Sequence, residues 1–556
     1  MKLVYNPADN SVTYNGQTIY PFFIQQKIGG RYEMVEFRPY ANQAIHFIED
    51  QFNRYVGDIA IQNIEDLRIN TKLAPTNSGK TTMTPFLVKI LGHFGLIQDF
   101  LLTAPTKGVR DENLKAFKKV FADCRPHADD NTNFVPAIFM DVKEANSTVN
   151  VNNKAVFVCN ETAKNTMETV LSGKYTRLNF SLIFIDEVDQ HFATASPEDA
   201  PVDLGTLKAG DMKRVKKVLE FMWAKGCQVF GHTGTTSASH INESPRGDEF
   251  FKPMLDCPSD KDKCRSIRIN PESGSNMEES IRVMVRKEIQ RIIKAQKQWD
   301  NMSDPVKTIL SYIGIKHQLQ RNSYITVGVG STNTDKKIVI DSAISIVEDE
   351  LKNSGLSDYR IAIFTSNDDR MTEYYQGGIE EVSSKNGFPN NPGKFSEQYL
   401  DPETAGDKYK AIPTFILAMY KGNSGENIYN IVNVAILRKS SLKNIWRREA
   451  QIIGRGKRSI PGVRSFKELW ENLRESSGVP SLSESDAFAV YQYFVDMSIC
   501  DVSFVTGSSN AEGASTDVMT DVYSAEEIRN LHASNIPGVF YMAQEAITHK
   551  TLKLAA

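Results

Sequence analysis

Apolar and polar positions alternate with period two over residues 1–35. KLVYN (2–6) and SVTYN (11–15) follow this pattern, and Asn15-Gly16 is the dipeptide of a two-residue hairpin turn, so the segment predicts a small β unit. From about residue 36 the pattern becomes short apolar runs separated by stretches of helical period. DFLLTAP (99–105), VPAIFMD (135–141), KAVFVCN (154–160), SLIFIDE (181–187) and CQVFGHTG (227–234) are of strand length and rich in Val, Ile, Leu and Phe. Such runs predict strands buried on both faces, and the helical stretches between them predict a parallel α/β sheet.

The alternation lapses over 239–261, which is polar, and returns with CRSIRIN (264–270). A long helical stretch (278–299) follows, then YITVGVG (324–330), YRIAIFTS (359–366), PTFILAMY (413–420) and NIVNVAILR (430–438). This is a second α/β block of similar size, with a surface loop at NGFPNNPGK (386–394). Beyond about 465 the chain reads as mixed and mostly helical, with a Gly/Ser patch at 506–515. The predicted order is an N-terminal β unit (1–35), a first lobe (36–238), a linker (239–261), a second lobe (262–462) and a C-terminal unit (463–556).

Composition fits several ordinary cores: 556 residues, 40% hydrophobic and 24% charged. The formal net charge of −3 means that any contact with a polyanion must use local clusters, such as the basic residues between Arg438 and Arg458. The six cysteines show no zinc spacing and suit a reducing compartment, so a cytoplasmic protein with free thiols is expected. The N-terminus has no secretory pattern, and no apolar run reaches the length of a membrane span.

Three segments carry chemistry. The first runs Ala74-Pro75-Thr76-Asn77-Ser78-Gly79-Lys80-Thr81-Thr82, between a short apolar strand and a helical segment. That is the context of a phosphate-binding loop: backbone N–H groups cradle phosphates at a helix N-terminus, Lys80 meets the β/γ oxygens and the Thr81 hydroxyl binds Mg²⁺. The second is Asp186-Glu187-Val188-Asp189, at the end of a buried strand. Carboxylates there face the ligand crevice of a parallel sheet. Asp186 suits Mg²⁺ and Glu187 suits an attacking water, although an acidic pair after a strand also serves as a helix N-cap. In the third, Gln451, Gly454, Arg455 and Arg458 follow i, i+3, i+4, i+7 spacing on one helical face. The two arginines suit arginine fingers or, alternatively, a basic surface.

Together these segments resemble superfamily 2 helicases, and the remaining motifs of that family fall in order across residues 36–460. LLTAPTKG (101–108) and VCNETA (158–163) resemble motifs Ia and Ib, which implies nucleic-acid contacts at Thr106, Lys107, Asn160 and Thr162. GHTGTT (231–236) resembles motif III, which implies that Thr233 and Thr235, with Asp189, couple hydrolysis to lobe movement. VGVGSTNT (327–334) stands where motif IV belongs, with Ser331 and Thr332 toward nucleic acid. YKGNSGENI (420–428) resembles motif V, with Gly425 and Asn427 toward ATP. FRPYANQAI (37–45) resembles the adenine-pocket segment, with Arg38, Tyr40 and Gln43. Ala41 stands where the family usually has glutamine.

The resemblance implies an α/β fold of two tandem RecA-like parallel-sheet lobes. It also implies ATP and Mg²⁺ at Lys80, Thr81, Asp186 and Glu187, with Gln451, Arg455 and Arg458 acting on the same nucleotide from the second lobe. The expected function is ATP-driven movement along, or unwinding of, single-stranded or branched DNA, with no membrane partner. An RNA helicase and a non-unwinding clamp or translocase subunit are the alternatives.

Overall fold

Strands form where the apolar runs predict them. The N-terminal segment makes an antiparallel meander of β1 (Val4–Asn6), β2 (Ser11–Tyr14) and β3 (Gln17–Ile19), followed by a ribbon of β4 (Phe23–Ile28) and β5 (Arg31–Glu36). Asn15 and Gly16 both take positive φ (51° and 80°), as the primed hairpin turn requires. The inward side chains Leu3, Tyr5, Val12, Ile19 and Phe22 share one apolar core with the first lobe.

The computed structural model describes residues 2–188 apart from 29, 41–42, 60, 62, 64–65, 75–77 and 123; then 191, 209–233, 251–253, 266–273, 276–312 and 321–327; then 333–438 apart from 366–368, 403 and 420–427; and finally 447–456 and 499–506. The chain divides into two units, Met1–Ser259 and Asp260–Ala556.

In the first unit, β6 (Ile69–Leu73), β7 (Asp99–Ala104), β8 (Ala137–Phe139), β9 (Lys154–Cys159), β10 (Phe180–Asp186), β11 (Gln228–Thr233) and β12 (Phe251–Pro253) pair in the order β12-β6-β11-β10-β7-β9-β8. Every pairing is parallel. Alternate residues feed two cores. Phe100, Leu102, Phe157, Leu182, Phe184 and Phe230 pack on one face, and Leu101, Val156, Val158, Ile183, Ile185 and Val229 on the other. Burial on both faces is why these strands read as unbroken apolar runs.

Among the described residues, the α-helices of this unit are α1 (Asp50–Ile59), α2 (Lys80–His93), α3 (Lys107–Val120), α4 (Val142–Ser147), α5 (Asn160–Leu171) and α6 (Ala209–Lys225). α3 is set by its cap and its stripe. Thr106 Oγ1 accepts from Val109 N, and Val109, Asn113, Phe117 and Val120 form the buried face.

The second unit holds β13 (Ser266–Ser273), β14 (Asn322–Val327), β15 (Tyr359–Phe364), β16 (Asp369–Tyr375), β17 (Gly378–Ser383), β18 (Thr414–Ala418), β19 (Ile431–Arg438) and β20 (Ile499–Thr506), with α7 (Met277–Asp300), α8 (Asp304–Tyr312), α9 (Asn333–Lys352) and α10 (Arg447–Gly456). Its sheet runs β13-β20-β19-β14-β18-β15-β16-β17, parallel up to β15 and closed by an antiparallel hairpin at the β17 edge. Across β15 and β16, the fully buried Arg360 donates twice to Glu373 (2.8 and 3.1 Å), which also receives Lys410.

The expected α/β class with two parallel-sheet lobes holds. Two segments lie differently from their predicted boundaries. β12, in the predicted linker, adds an edge strand to the first sheet, and β20, in the predicted C-terminal unit, is an internal strand of the second sheet. β20 carries Asp501 and Ser503 at buried positions, which broke the apolar pattern. Asp501 is satisfied by Arg291 (3.3 Å), within a network in which Arg321 also pairs with the buried Glu288 (3.0 Å).

Candidate nucleotide-binding site

β6, β11 and β10 are neighbours at the centre of the first sheet, and their C-terminal ends carry the chemistry. Register aligns Lys72 with His232 and His232 with Asp186, so three polar side chains stand in one row at the sheet edge. β6 leads to the phosphate-loop segment, where Ala74 N donates to Thr233 O (2.8 Å) and ties that segment to the end of β11.

α2 begins directly after Gly79, whose φ of 95° lies in the left-handed region that glycine tolerates best. A side chain at this position also has no room, since an added Cβ would lie 2.3 Å from Gln43 Nε2. Gln43 therefore covers the loop glycine, while its Oε1 accepts from Tyr40 N (3.3 Å). Arg38 is exposed and pairs with Glu36. Ser78 Oγ is buried with no hydrogen-bond partner among the described residues, which leaves a polar atom for a ligand.

Lys80 Nζ lies 2.8 Å from Glu187 Oε1 and 3.2 Å from Asp186 Oδ1. Burial disfavours the ammonium, but the two carboxylates outweigh it and hold the Lys80 pKa above the ordinary lysine value. Glu187 adopts φ 52°, a conformation rare for a non-glycine residue and often found at functional sites. Thr233 Oγ1 donates to its other oxygen (3.4 Å). The next residue, Val188, seats over Gly231, where a Cβ would meet Val188 Cγ2 at 2.6 Å. Glycine at 231 thus lets the acidic turn fold back onto β11.

Residues that sequence reasoning missed complete the site. Asn113 Nδ2 donates to Asp186 Oδ2 (2.9 Å). Lys72, buried beneath, pairs with Asp50 (2.9 Å), and Gln51 Nε2 lies 2.8 Å from His232 Nε2. Burial first, then Lys72 and Lys80, hold the His232 pKa well below the ordinary range. This favours the neutral imidazole, which can accept from Gln51 Nε2. Lys72 was visible only as a charged residue inside a strand run, and His232 only as a polar one.

Thr106, Lys107 and Thr162 are exposed at the starts of α3 and α5, which follow the adjacent strands β7 and β9, and Thr103 Oγ1 donates to Asn160 Oδ1 (2.7 Å). Thr81 is half-buried and Thr82 exposed. In the second unit, Gln451, Gly454 and Arg455 fall on α10. Arg455 is buried, its guanidinium 5.9 Å from the Tyr324 ring centroid, and Gly456 makes room for Cys500 of β20. Pro75, Thr76, Asn77, Asp189, Thr235, Ser331, Thr332, Gly425, Asn427 and Arg458 lie outside the described residues.

An ammonium, two carboxylates, a neighbouring Thr81 hydroxyl and a helix N-terminus make a set chemically suited to a polyphosphate, and its oxygen donors suit a hard cation such as Mg²⁺. Among the described residues no helix is long and apolar enough to cross a membrane.

The family model of the type III restriction enzyme res subunit matches residues 34–237. No curated protein matches the sequence. Among solved structures, Dbp5 of S. cerevisiae bound to RNA and ADP BeF3 is similar at 9% identity and a TM-score of 0.39, over 88% of this chain and 93% of that one. The DUF1998 helicase MrfA bound to DNA is similar at 11% identity and a TM-score of 0.43, over 84% and 46%. The E. coli DExH-box NTPase HrpB is similar at 12% identity and a TM-score of 0.35, over 78% and 43%. Likenesses this slight carry no argument; the family match and the site geometry do. Over residues 34–237 this chain is similar to the res-subunit family, a superfamily 2 helicase-like domain.

Proposed function

We propose that this chain is a nucleic-acid-stimulated ATPase that moves along or unwinds DNA. The observation that carries the reading is the ammonium of Lys80 between Asp186 and Glu187 at the start of a helix. In this reading Lys80 exchanges its carboxylate partners for the β/γ oxygens of ATP, and the loop residues 75–82 wrap the phosphates. Gln43, with Arg38 and Tyr40, borders the base. Thr81 and Asp186 hold Mg²⁺, which when bound neutralises phosphate charge. Glu187, steadied by Thr233, orients the attacking water and takes its proton.

The superfamily 2 resemblance gives Arg455, Arg458 and Gln451 a role on the γ-phosphate, and Gly425 and Asn427 a role on the nucleotide. Thr106, Lys107, Asn160 and Thr162 on the first unit, and Ser331 and Thr332 on the second, grip a phosphate backbone in alternation. Asp189, Thr233 and Thr235 couple that grip to hydrolysis. DNA is favoured over RNA by the GHTGTT and RPY segments.

The test is ATP turnover by the purified chain with single-stranded DNA, duplex DNA, forked DNA and RNA in turn. DNA stimulation is expected, with Arg455→Ala abolishing turnover but retaining nucleotide binding. Stimulation by RNA alone makes the protein an RNA motor, and no turnover with any nucleic acid makes it a clamp. Either result overturns the DNA-motor reading.

A further inference from the structure

Asp186 offers its two oxygens to different partners. Oδ1 faces Lys80 (3.2 Å) and accepts from Glu187 N (3.1 Å), whereas Oδ2 accepts from Asn113 Nδ2 (2.9 Å). Asn113 is 4% exposed and sits on the otherwise apolar stripe of α3, where a leucine would pack without a desolvation penalty. Its amide is fixed on two sides, because Nδ2 also donates to Val109 O (3.0 Å). Both neighbours are pure acceptors, so only the NH₂ end of the amide fits there. Val109 in turn donates its N–H to Thr106 Oγ1 (3.3 Å), the cap of the helix. A set of hydrogen bonds about two helical turns long thus joins the exposed Thr106–Lys107 corner to the buried carboxylate of Asp186.

We propose that Asn113 is a positioning residue for Asp186 and links a nucleic-acid backbone at Thr106 and Lys107 to the Mg²⁺–nucleotide held by Asp186. The inference rests on the function proposed above and adds a residue and a route to it. A phosphate at the first turn of α3 shifts the Val109 carbonyl, and with it the amide that sets the rotation of the carboxylate. Linkage is reciprocal, so nucleic acid and Mg²⁺–nucleotide raise each other's affinity through the same amide.

The experiment measures the affinity of the full chain for a fluorescent ADP analogue, with Mg²⁺ or with EDTA, in the presence and absence of an oligo-dT strand. Asn113→Leu keeps the branched shape with two methyl groups in place of the amide O and N, and Asn113→Ala empties the space, so an effect common to both belongs to the amide. Both are expected to lower the Mg²⁺-dependent part of the affinity about tenfold, the scale of one hydrogen bond to a charged group. Both should also erase the gain produced by oligo-dT, with the EDTA affinity unchanged. Variants that retain the Mg²⁺ effect and the oligo-dT gain overturn the proposal, as does an equal loss with Mg²⁺ and with EDTA.

A second measurement needs no variant. Hydrogen exchange over residues 106–113 of the unmodified chain should slow when Mg²⁺ and ADP are added together, and slow less with ADP in EDTA. Identical exchange in the two conditions overturns the proposal even if both variants misfold. An unmodified chain that binds no nucleotide at all removes the ATPase reading itself, and this inference with it.

Discussion

Lys80 donates to Glu187 across 2.8 Å, so the residue expected to hold phosphate is held by the residue expected to activate water. Replacing Lys80 with alanine leaves Asp186 and Glu187 together without their counter-charge and removes the phosphate contact. Turnover of ATP by Lys80→Ala should fall by about a hundredfold or more. The folded first unit should lose about 1–3 kcal/mol, less than a fully buried ion pair because the Lys80 side chain is 19% exposed. Steady-state turnover and urea unfolding check both, and normal turnover in the purified variant refutes the assignment.

The positive φ of Glu187 separates its backbone role from its chemistry. Alanine and glycine at this position both remove the carboxylate, but only glycine takes φ 52° without strain. Glu187→Gly should therefore be more stable than Glu187→Ala by about 1–2 kcal/mol, with both equally inactive. A melting comparison decides the first point, and equal stability would show that the conformation costs nothing.

Gly79 is constrained twice, by φ 95° and by the Gln43 amide over it. Gly79→Ala should abolish nucleotide binding and cost roughly 1–3 kcal/mol of stability. Adding Gln43→Ala clears the clash but leaves the backbone strain, so the double variant should recover stability in part. Full recovery would assign the whole cost to the glutamine.

Glu373 gives the second unit an acid-sensitive element. Burial raises its pKa, but hydrogen bonds and charge from Lys410 and Arg360 win, and the folded value lies below the usual 4.5. A depressed carboxylate pKa stabilises the fold above the ordinary value, and that stabilisation is lost as pH falls through the folded value. Glu373→Gln, which leaves the fully buried Arg360 without its charge partner, should cost about 3–5 kcal/mol near neutrality. The gap from the unmodified chain should narrow below about pH 4.5. Urea titrations across pH test this, and a gap independent of pH contradicts it.

Much of this was legible from residue order because the strongest signals are local. Strands buried on both faces must be apolar throughout, so β7, β9, β10 and β11 announced themselves, and the loop before Lys80 and the acidic end of β10 followed. What escaped depends on contacts between distant segments. Asn113 and Asp186 are 73 residues apart, and Gln51 and His232 are 181 apart. A polar residue on a helix stripe or in a strand looks like an interruption until its partner is known. β20 escaped for the same reason, because Asp501 reads as solvent-facing without Arg291.

The position of β20 also governs how the protein is made. β20 lies between β13 and β19, strands that precede it by more than two hundred and about sixty residues. On the ribosome, the first unit has all its described strands once Pro253 has emerged and can fold early. The second must wait, with its edge strand β13 cut off from the rest of its sheet, until Thr506 leaves the exit tunnel. During that interval the facing edges of β13 and β19 lack their partner, and this half of the nascent chain is the part most in need of a chaperone.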